Sequence, residues 1–161
     1  MALLMHALDD MAPEVRRAAK QVAPTLMPDN PAALDAALEH YFRHFDLQVL
    51  MAQAARDFEP AEREAMLETA IRRHLKAAGE KRDLSHDMAG YPAATGQVLA
   101  LALQEESRRH LGVAVEMLTE IHATAAVIQA ASALLSADAK IRAQGLESLQ
   151  PVKGRLNPKP G

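Results

Sequence analysis

The residues best spaced for metal chemistry are His40 and His44, which stand four positions apart. Residues four apart on a helix lie on one face, and neutral imidazole is a common metal ligand. A third ligand would have to come from elsewhere in the chain, and the candidates are Asp46, His74 and His86. Two ligands do not make a site, and a chain with seven histidines easily contains such a pair by coincidence. Surface histidines are therefore the favoured interpretation. A metal- or small-molecule-binding helical domain that uses His40 and His44 is the alternative.

Nucleophilic catalysis has weaker support in the sequence. Ser85, His86 and Asp87 are consecutive, and adjacent residues rarely reach the geometry of a catalytic triad. The chain has no glycine-rich phosphate loop, no His-Glu-x-x-His and no Gly-x-Ser-x-Gly. We therefore predict no catalytic residue, no cofactor and no enzymatic activity.

Pairs of adjacent basic residues offer a different kind of site. Aligned on one concave face, they could bind phosphate groups or nucleic acid as a second alternative function. The net charge of -3 and the acidic residues interleaved among these pairs argue against nucleic acid. The residues kept as weak candidates for contacts with a partner are Arg16, Arg17, Arg72, Arg73, Arg108 and Arg109.

Composition indicates that helices must position these side chains. Apolar residues make up 49% of the chain, whereas aromatic residues make up only 3%, so alanine, leucine and methionine dominate. Alanine and leucine head the scale of helix propensity, which predicts an all-α protein. The absence of cysteine excludes disulfides and fits a reducing compartment, so we expect a cytoplasmic location. No run of about 18 uncharged apolar residues is present, so no transmembrane segment is predicted.

Apolar periodicity and helix-breaking residues predict eight or nine helices in antiparallel pairs. Pro24 is expected to end or kink the second helix, and Asn30 to cap the third. Gly79 is a suitable C-terminal cap, so residues 80–92 are predicted to be the longest loop.

Beyond that loop, the sequence predicts a run of helix from about Ala93 to Ile121, a further helix from about Thr124, and a last one capped by Asp138. We predict a single domain over residues 1–152 and a disordered tail over 153–161.

A motif near each end of the chain resembles the second helix of a HEAT-type repeat. A short polar turn leads to Val15-Arg16 near the start and to Ile141-Arg142 near the end, and a small residue follows three positions after each arginine, Ala19 or Gly145. The two arginines are 126 positions apart, which would hold about three units of roughly 40–47 residues. The stretch from about 99 to 149 is similar to soluble HEAT segments that accompany some bacterial transporters, and to free-standing bacterial HEAT proteins. Residues 30–90 depart from the pattern.

The resemblance implies a short HEAT-like α-solenoid and an interaction or regulatory role without catalytic residues. The expected mechanism is that a surface built from the second helices of the hairpins binds a protein partner, for which the cytoplasmic side of a membrane transporter is one possibility. Within the motifs, Asp138 should accept hydrogen bonds at a helix start, and Arg16 and Arg142 should reach neighbouring turns. Ala19 and Gly145 should keep helix crossings close.

Overall fold

A computed structural model describes residues 1–91, 94–122, 125–134, 136, 138 and 140–145. All regular structure in these residues is helical and none is strand, which confirms the predicted all-α class. None of the described helices is both long and apolar enough to cross a membrane. The chain divides into two compact units, Met1–Ile121 and His122–Gly161. The sequence predicts one domain over residues 1–152 and a tail over 153–161, and both the boundary and the tail lie outside the described residues.

Six α-helices form the first unit. They are α1 (Ala2–Leu8), α2 (Pro13–Val22), α3 (Pro31–His40), α4 (Phe45–Ala54), α5 (Pro60–Ala89) and α6 (Ala94–Ile121). Short 3-10 helices follow α2 and α4, at Ala23–Leu26 and Ala55–Asp57. The second unit contains α7 (Ala125–Leu134) and a helical segment at 140–145.

Prolines and one asparagine set several helix boundaries. The missing N–H of proline costs nothing at a first helical position, and Pro13, Pro31 and Pro60 all begin helices. The Asn30 side chain accepts a hydrogen bond from the Ala33 amide at 2.9 Å, which confirms the predicted cap of α3. The α-helix α2 ends two residues before Pro24, as expected.

The prediction of a long loop over residues 80–92 is wrong. Helix α5 continues through Gly79 to Ala89, so of the described residues only Gly90 and Tyr91 lie between α5 and α6. A glycine inside a helix costs about 1 kcal/mol relative to alanine, which packing against a neighbouring helix easily exceeds. Here α5 packs along α6, and Lys76 pairs with Glu80 at 3.9 Å on the next turn.

The core of the first unit lies where α3 and α4 pack against α5 and α6. Its largest fully buried apolar side chains are Leu34, Leu38, Leu47, Met51, Leu67 and Met117. Within the long helices, the buried members of this core extend to Ile71 in α5 and begin at Val113 in α6. Residues 76–91 and 94–107 contribute no member to it. We call these two stretches the arm, because they extend the helical pair beyond the core.

The two repeat-like motifs form the same local hydrogen bonds. Arg16 Nη1 donates to the Asp10 carbonyl at 2.6 Å, and Arg142 Nη1 donates to the Ser136 carbonyl at 2.8 Å, six residues back in both cases. The Asp138 carboxylate accepts from the Lys140 amide at 2.8 Å, as predicted.

The close helix crossing expected at Gly145 is also present in the second unit. A Cβ at that position would lie 2.8 Å from Ala133 Cβ and 2.9 Å from the Ala130 carbonyl oxygen. Real Cβ atoms do not approach so closely, so only glycine fits without a shift of its neighbours. Ala19, the corresponding residue of the first motif, is buried in the core of its own unit.

Candidate interaction surface

The two helices of the arm meet along a coiled-coil seam. On each helix, successive seam residues are alternately four and three positions apart, which is the pattern of the a and d positions of a heptad. The α5 seam residues are His74, Ala78, Lys81, Ser85 and Met88; those of α6 are Gly96, Ala100, Leu103, Ser107 and His110, and all are buried or half-buried. Two hydroxyls cross the seam at 2.7 Å: Ser85 donates to the Ala100 carbonyl, and Ser107 donates to the Ala78 carbonyl.

Small residues in this seam bring the two helices close together. A Cβ at Gly96 would lie 2.8 Å from Tyr91 Cβ and 3.0 Å from the Met88 carbonyl oxygen. Half-buried Lys81 forms an ion pair across the helices with Glu106 at 2.9 Å. Because alanine, serine and glycine occupy so much of the seam, bulkier apolar residues of the arm are left outside it.

Several exposed apolar side chains of the arm lie on α6, where residues 98–103 are all apolar. The exposed fractions are 69% for Val98, 47% for Leu99 and 66% for Leu101, whereas Ala100 faces the seam. A helix that is apolar on every side is normally buried on every side, and a contiguous exposed apolar patch marks an interaction site. Within the described part of the first unit, α5 covers the side of this segment that carries Ala100 and Leu103, and Val98, Leu99 and Leu101 are exposed.

Val98 and Leu101 belong to a stripe on the side of α6 that faces away from the seam. Successive members of the stripe are alternately four and three residues apart, as in the seam, but each lies two residues away from a seam position. We call it the outer stripe; its members are Ala94, Val98, Leu101, Glu105 and Arg108, all exposed. In a two-helix coiled coil these outermost positions are normally polar, so two large apolar residues here are exceptional.

A buried chain of polar side chains lies where the arm joins the core. The Gln48 amide nitrogen donates to the Leu38 carbonyl at 2.9 Å, and its oxygen lies 3.1 Å from His74 Nε2. His74 Nδ1 lies 2.9 Å from His110 Nδ1. Phe42 packs on both imidazoles, with ring centroids at 4.5 Å and 5.1 Å. Gln48, His74 and His110 are almost fully buried.

This geometry fixes the hydrogen positions on the two imidazoles. The Gln48 oxygen can only accept, so His74 carries its proton on Nε2, and its bare Nδ1 then accepts from His110 Nδ1–H. Burial, the adjacent His110 and the charge of Arg73 lower the pKa of His74 to about 3. Burial also lowers the pKa of His110, partly opposed by the Glu106 carboxylate and reinforced by Lys81 and Arg43. Both rings are neutral at pH 7, so the chain joins the arm to the core without burying a charge.

The prediction that His40 and His44 share one helix face is wrong. Helix α3 ends at His40, a turn follows, and His44 is the residue before α4. The turn is closed by a 2.9 Å hydrogen bond from the His44 amide to the Tyr41 carbonyl, and it contains the Phe42 that packs on the buried histidines.

None of the three candidate third ligands completes a metal site with this pair. Asp46 is exposed and lies 3.8 Å from Lys20, His86 is exposed on α5, and His74 belongs to the buried chain. Within the residues that the structure describes, no three His, Asp or Glu side chains are grouped to hold a metal ion.

The six candidate arginines have mostly local partners. Arg16 caps its own turn, as described above. The ion pairs of the others are Arg72 with Glu68 at 3.5 Å, Arg73 with Glu39 at 3.9 Å and Arg109 with Glu105 at 3.6 Å. Arg16 and Arg17 line one surface groove, Arg109 lines a different one, and Arg108 is exposed in the outer stripe.

The groove that contains Arg109 has a volume of about 610 Å³ and lies beside the first turn of α4. Arg43 and Arg109 bring positive charge to it, and the carboxylates of Asp9 and Asp46 line it as well. These opposite charges offset one another, so the groove offers no clear preference for an anion.

Of the three residues in the buried polar chain, only His74 is a candidate from the sequence, as a possible third metal ligand, and neither Gln48 nor His110 is. Gln48, His74 and His110 are separated by dozens of positions, so no spacing rule connects them. The run of six apolar residues at 98–103 is a visible signal in the sequence, because a one-sided helix needs apolar residues only at every third or fourth position.

Comparisons with known proteins give no relative for this chain. No protein-family model, no curated protein and no solved structure matches it. The resemblance to HEAT repeats therefore stays a prediction from the sequence, and function has to be argued from the described geometry.

Proposed function

We propose that this protein is a non-enzymatic interaction module that binds a protein partner through the arm. The observation that carries this proposal is the apolar segment 98–103, which packs on α5 with Ala100 and Leu103 while its other large apolar side chains are exposed. Val98 and Leu101 are each about two-thirds exposed, in positions where a two-helix coiled coil normally has polar residues.

The construction of the arm supports this role. A preformed helical pair presents apolar side chains with less loss of conformational entropy on binding than a segment that must first fold, because its backbone is already helical. Amphipathic helices commonly bind partners through anchor residues spaced three or four positions apart. Val98 and Leu101 are three positions apart.

The arrangement of the helices as a HEAT-like solenoid is part of the same proposal. Its support is the matching hydrogen bonds of Arg16 and Arg142 and the close crossing at Gly145. A bacterial transporter with a cytoplasmic surface is one partner that the resemblance suggests.

Site-specific photocrosslinking in the native cell tests the proposal. A benzophenone amino acid at position 98 or 101 should crosslink a defined protein, which mass spectrometry identifies. The matched control carries the same group at position 26, another exposed apolar residue, which lies outside the arm. The Val98→Gln/Leu101→Gln variant should lose the crosslinked protein when the benzophenone is at position 102. If the arm and position 26 capture the same set of proteins, the arm is not the binding surface.

A further inference from the structure

We propose that the groove beside the first turn of α4 binds a small zwitterion with an apolar part, which has the chemistry of an aliphatic α-amino acid. No residue of the arm lines this groove, so the inference goes beyond the proposed function and does not depend on it. It is carried by two opposite charges that line the same groove without forming an ion pair.

These two charges belong to Asp9 and Arg43. Asp9 follows α1, and Arg43 lies in the turn between α3 and α4. Among the residues that the structure describes, neither side chain forms an ion pair. The other aspartate and the other arginine of the groove, Asp46 and Arg109, already have the ion pairs described above. A ligand can therefore neutralise Asp9 and Arg43 without breaking either of those pairs.

Neither a simple anion nor a simple cation suits this combination of charges. An anion that approaches Arg43 also meets the carboxylates of Asp9 and Asp46, and a cation that approaches Asp9 also meets Arg43 and Arg109. A zwitterion avoids both conflicts. Its carboxylate can accept two parallel hydrogen bonds from the Arg43 guanidinium, while its ammonium donates to the Asp9 carboxylate. Because the two side chains do not pair directly, the ligand can lie between them.

The apolar residues of the groove account for the apolar part of the ligand. Leu8 and Leu47 are buried, and Met5 and Phe45 are half-buried. An aliphatic side chain placed against them leaves water together with the surface that it covers, which favours binding. The groove volume of about 610 Å³ also lies in the usual range of small-molecule sites, roughly 300–1,000 Å³.

Isothermal titration calorimetry of the wild-type chain with L-leucine tests the class of ligand. We expect saturable binding of one molecule per chain. Three analogues each remove one part of the ligand: N-acetyl-L-leucine lacks the ammonium, L-leucinamide lacks the carboxylate, and glycine lacks the apolar side chain. Each should bind about tenfold more weakly or worse, because a hydrogen bond between charged groups or the burial of an aliphatic side chain contributes at least that factor.

Substitutions test the position of the site. Asp9→Asn and Arg43→Gln should each weaken the binding of L-leucine about tenfold, because each removes the charge that faces one end of the ligand. The matched controls are Asp35→Asn and Arg17→Gln, which change the net charge equally at exposed residues that do not line this groove. Both controls should bind L-leucine as the wild type does, and helical circular dichroism checks that every variant is folded.

Three results would overturn the inference. They are a wild-type chain with no saturable binding of L-leucine, N-acetyl-L-leucine that binds as tightly as L-leucine, and Asp9→Asn and Arg43→Gln variants that bind like their controls. The second result would make the groove an anion site. Failure here is distinguishable from failure of the proposed function, because photocrosslinking at positions 98 and 101 measures the arm separately.

Discussion

The buried histidine chain predicts that acid destabilises the first unit in a specific pH window. His74 is neutral in the folded protein because its pKa is about 3, and in the unfolded chain its pKa returns to about 6.5. Below pH 6.5 the unfolded state therefore binds a proton that the folded state does not. The stability that the buried neutral imidazole of His74 contributes is present above pH 6.5 and is lost progressively as the pH falls towards 3.

The size of the effect follows from proton linkage. Between pH 7 and pH 5, one histidine with these two pKa values lowers the free energy of unfolding by about 2 kcal/mol. The lowered pKa of His110 acts in the same direction. Most carboxylates titrate below this window, so histidines dominate it.

Urea unfolding followed by helical circular dichroism at pH 7, 6 and 5 measures this change. From pH 7 to pH 5, the free energy of unfolding should fall by about 2 kcal/mol less in His74→Gln than in the wild type. This holds whatever the stability of the variant at pH 7. His86→Gln is the matched control on the same helix, because His86 is exposed. An equal pH-dependent loss in wild type and His74→Gln would refute the assignment of a neutral, buried His74.

Four further predictions concern packing, helix propensity, capping and an ion pair, each measured as the free energy of unfolding. Gly145→Ala should destabilise the second unit by about 1–3 kcal/mol, because the added Cβ overlaps two neighbours in the crossing. Gly79→Ala should stabilise α5 by about 0.5–1 kcal/mol, since a Cβ there meets nothing within 4 Å. Asn30→Ala should cost about 1 kcal/mol through loss of the α3 cap. Arg56→Ala should cost about 1 kcal/mol, because Nε and Nη2 along one edge of its guanidinium donate to the two oxygens of a nearly buried Glu120 carboxylate, while the arginine itself is largely exposed.

Each of these has its own control. The two glycine variants control for one another, since the same change should have opposite signs at positions 145 and 79. Asn30→Asp keeps a capping oxygen and should retain wild-type stability. Arg56→Lys should recover only part of the loss, because lysine cannot bind the carboxylate with two parallel bonds. A stable Gly145→Ala or a fully rescuing Arg56→Lys would contradict the contacts described.

Local rules predicted the local features of this chain. The cap at Asn30, the helix end before Pro24 and the hydrogen bond of Asp138 each depend on a few adjacent residues, and all are confirmed. The all-α class followed from composition for a similar reason, since helix propensity is a property of single residues.

The predictions that are wrong concern local structure that depends on contacts between distant parts of the chain. Gly79 predicts a helix end, whereas packing against α6 carries α5 past it. The spacing of His40 and His44 predicts one helical face, whereas a turn separates them, and Phe42 in that turn packs on two distant imidazoles. The chain of Gln48, His74 and His110 joins three helices, and nothing in their sequence separation indicates that they meet.

The small and polar residues of the arm's seam have a consequence for the order in which the molecule opens. Local opening is easiest where few apolar contacts must be broken. Beyond the core, the only large apolar residues among the seam residues named above are Met88 and Leu103, and the others are alanine, serine, glycine and one lysine. Amides near Ser85 and Ala100 should therefore exchange their hydrogens with solvent sooner than those near Leu67 and Met117, although both pairs lie in the same two helices. Each of these long helices thus combines a slowly exchanging anchor with a tip that frays readily, and whatever covers Val98 and Leu101 would slow exchange at the tip first.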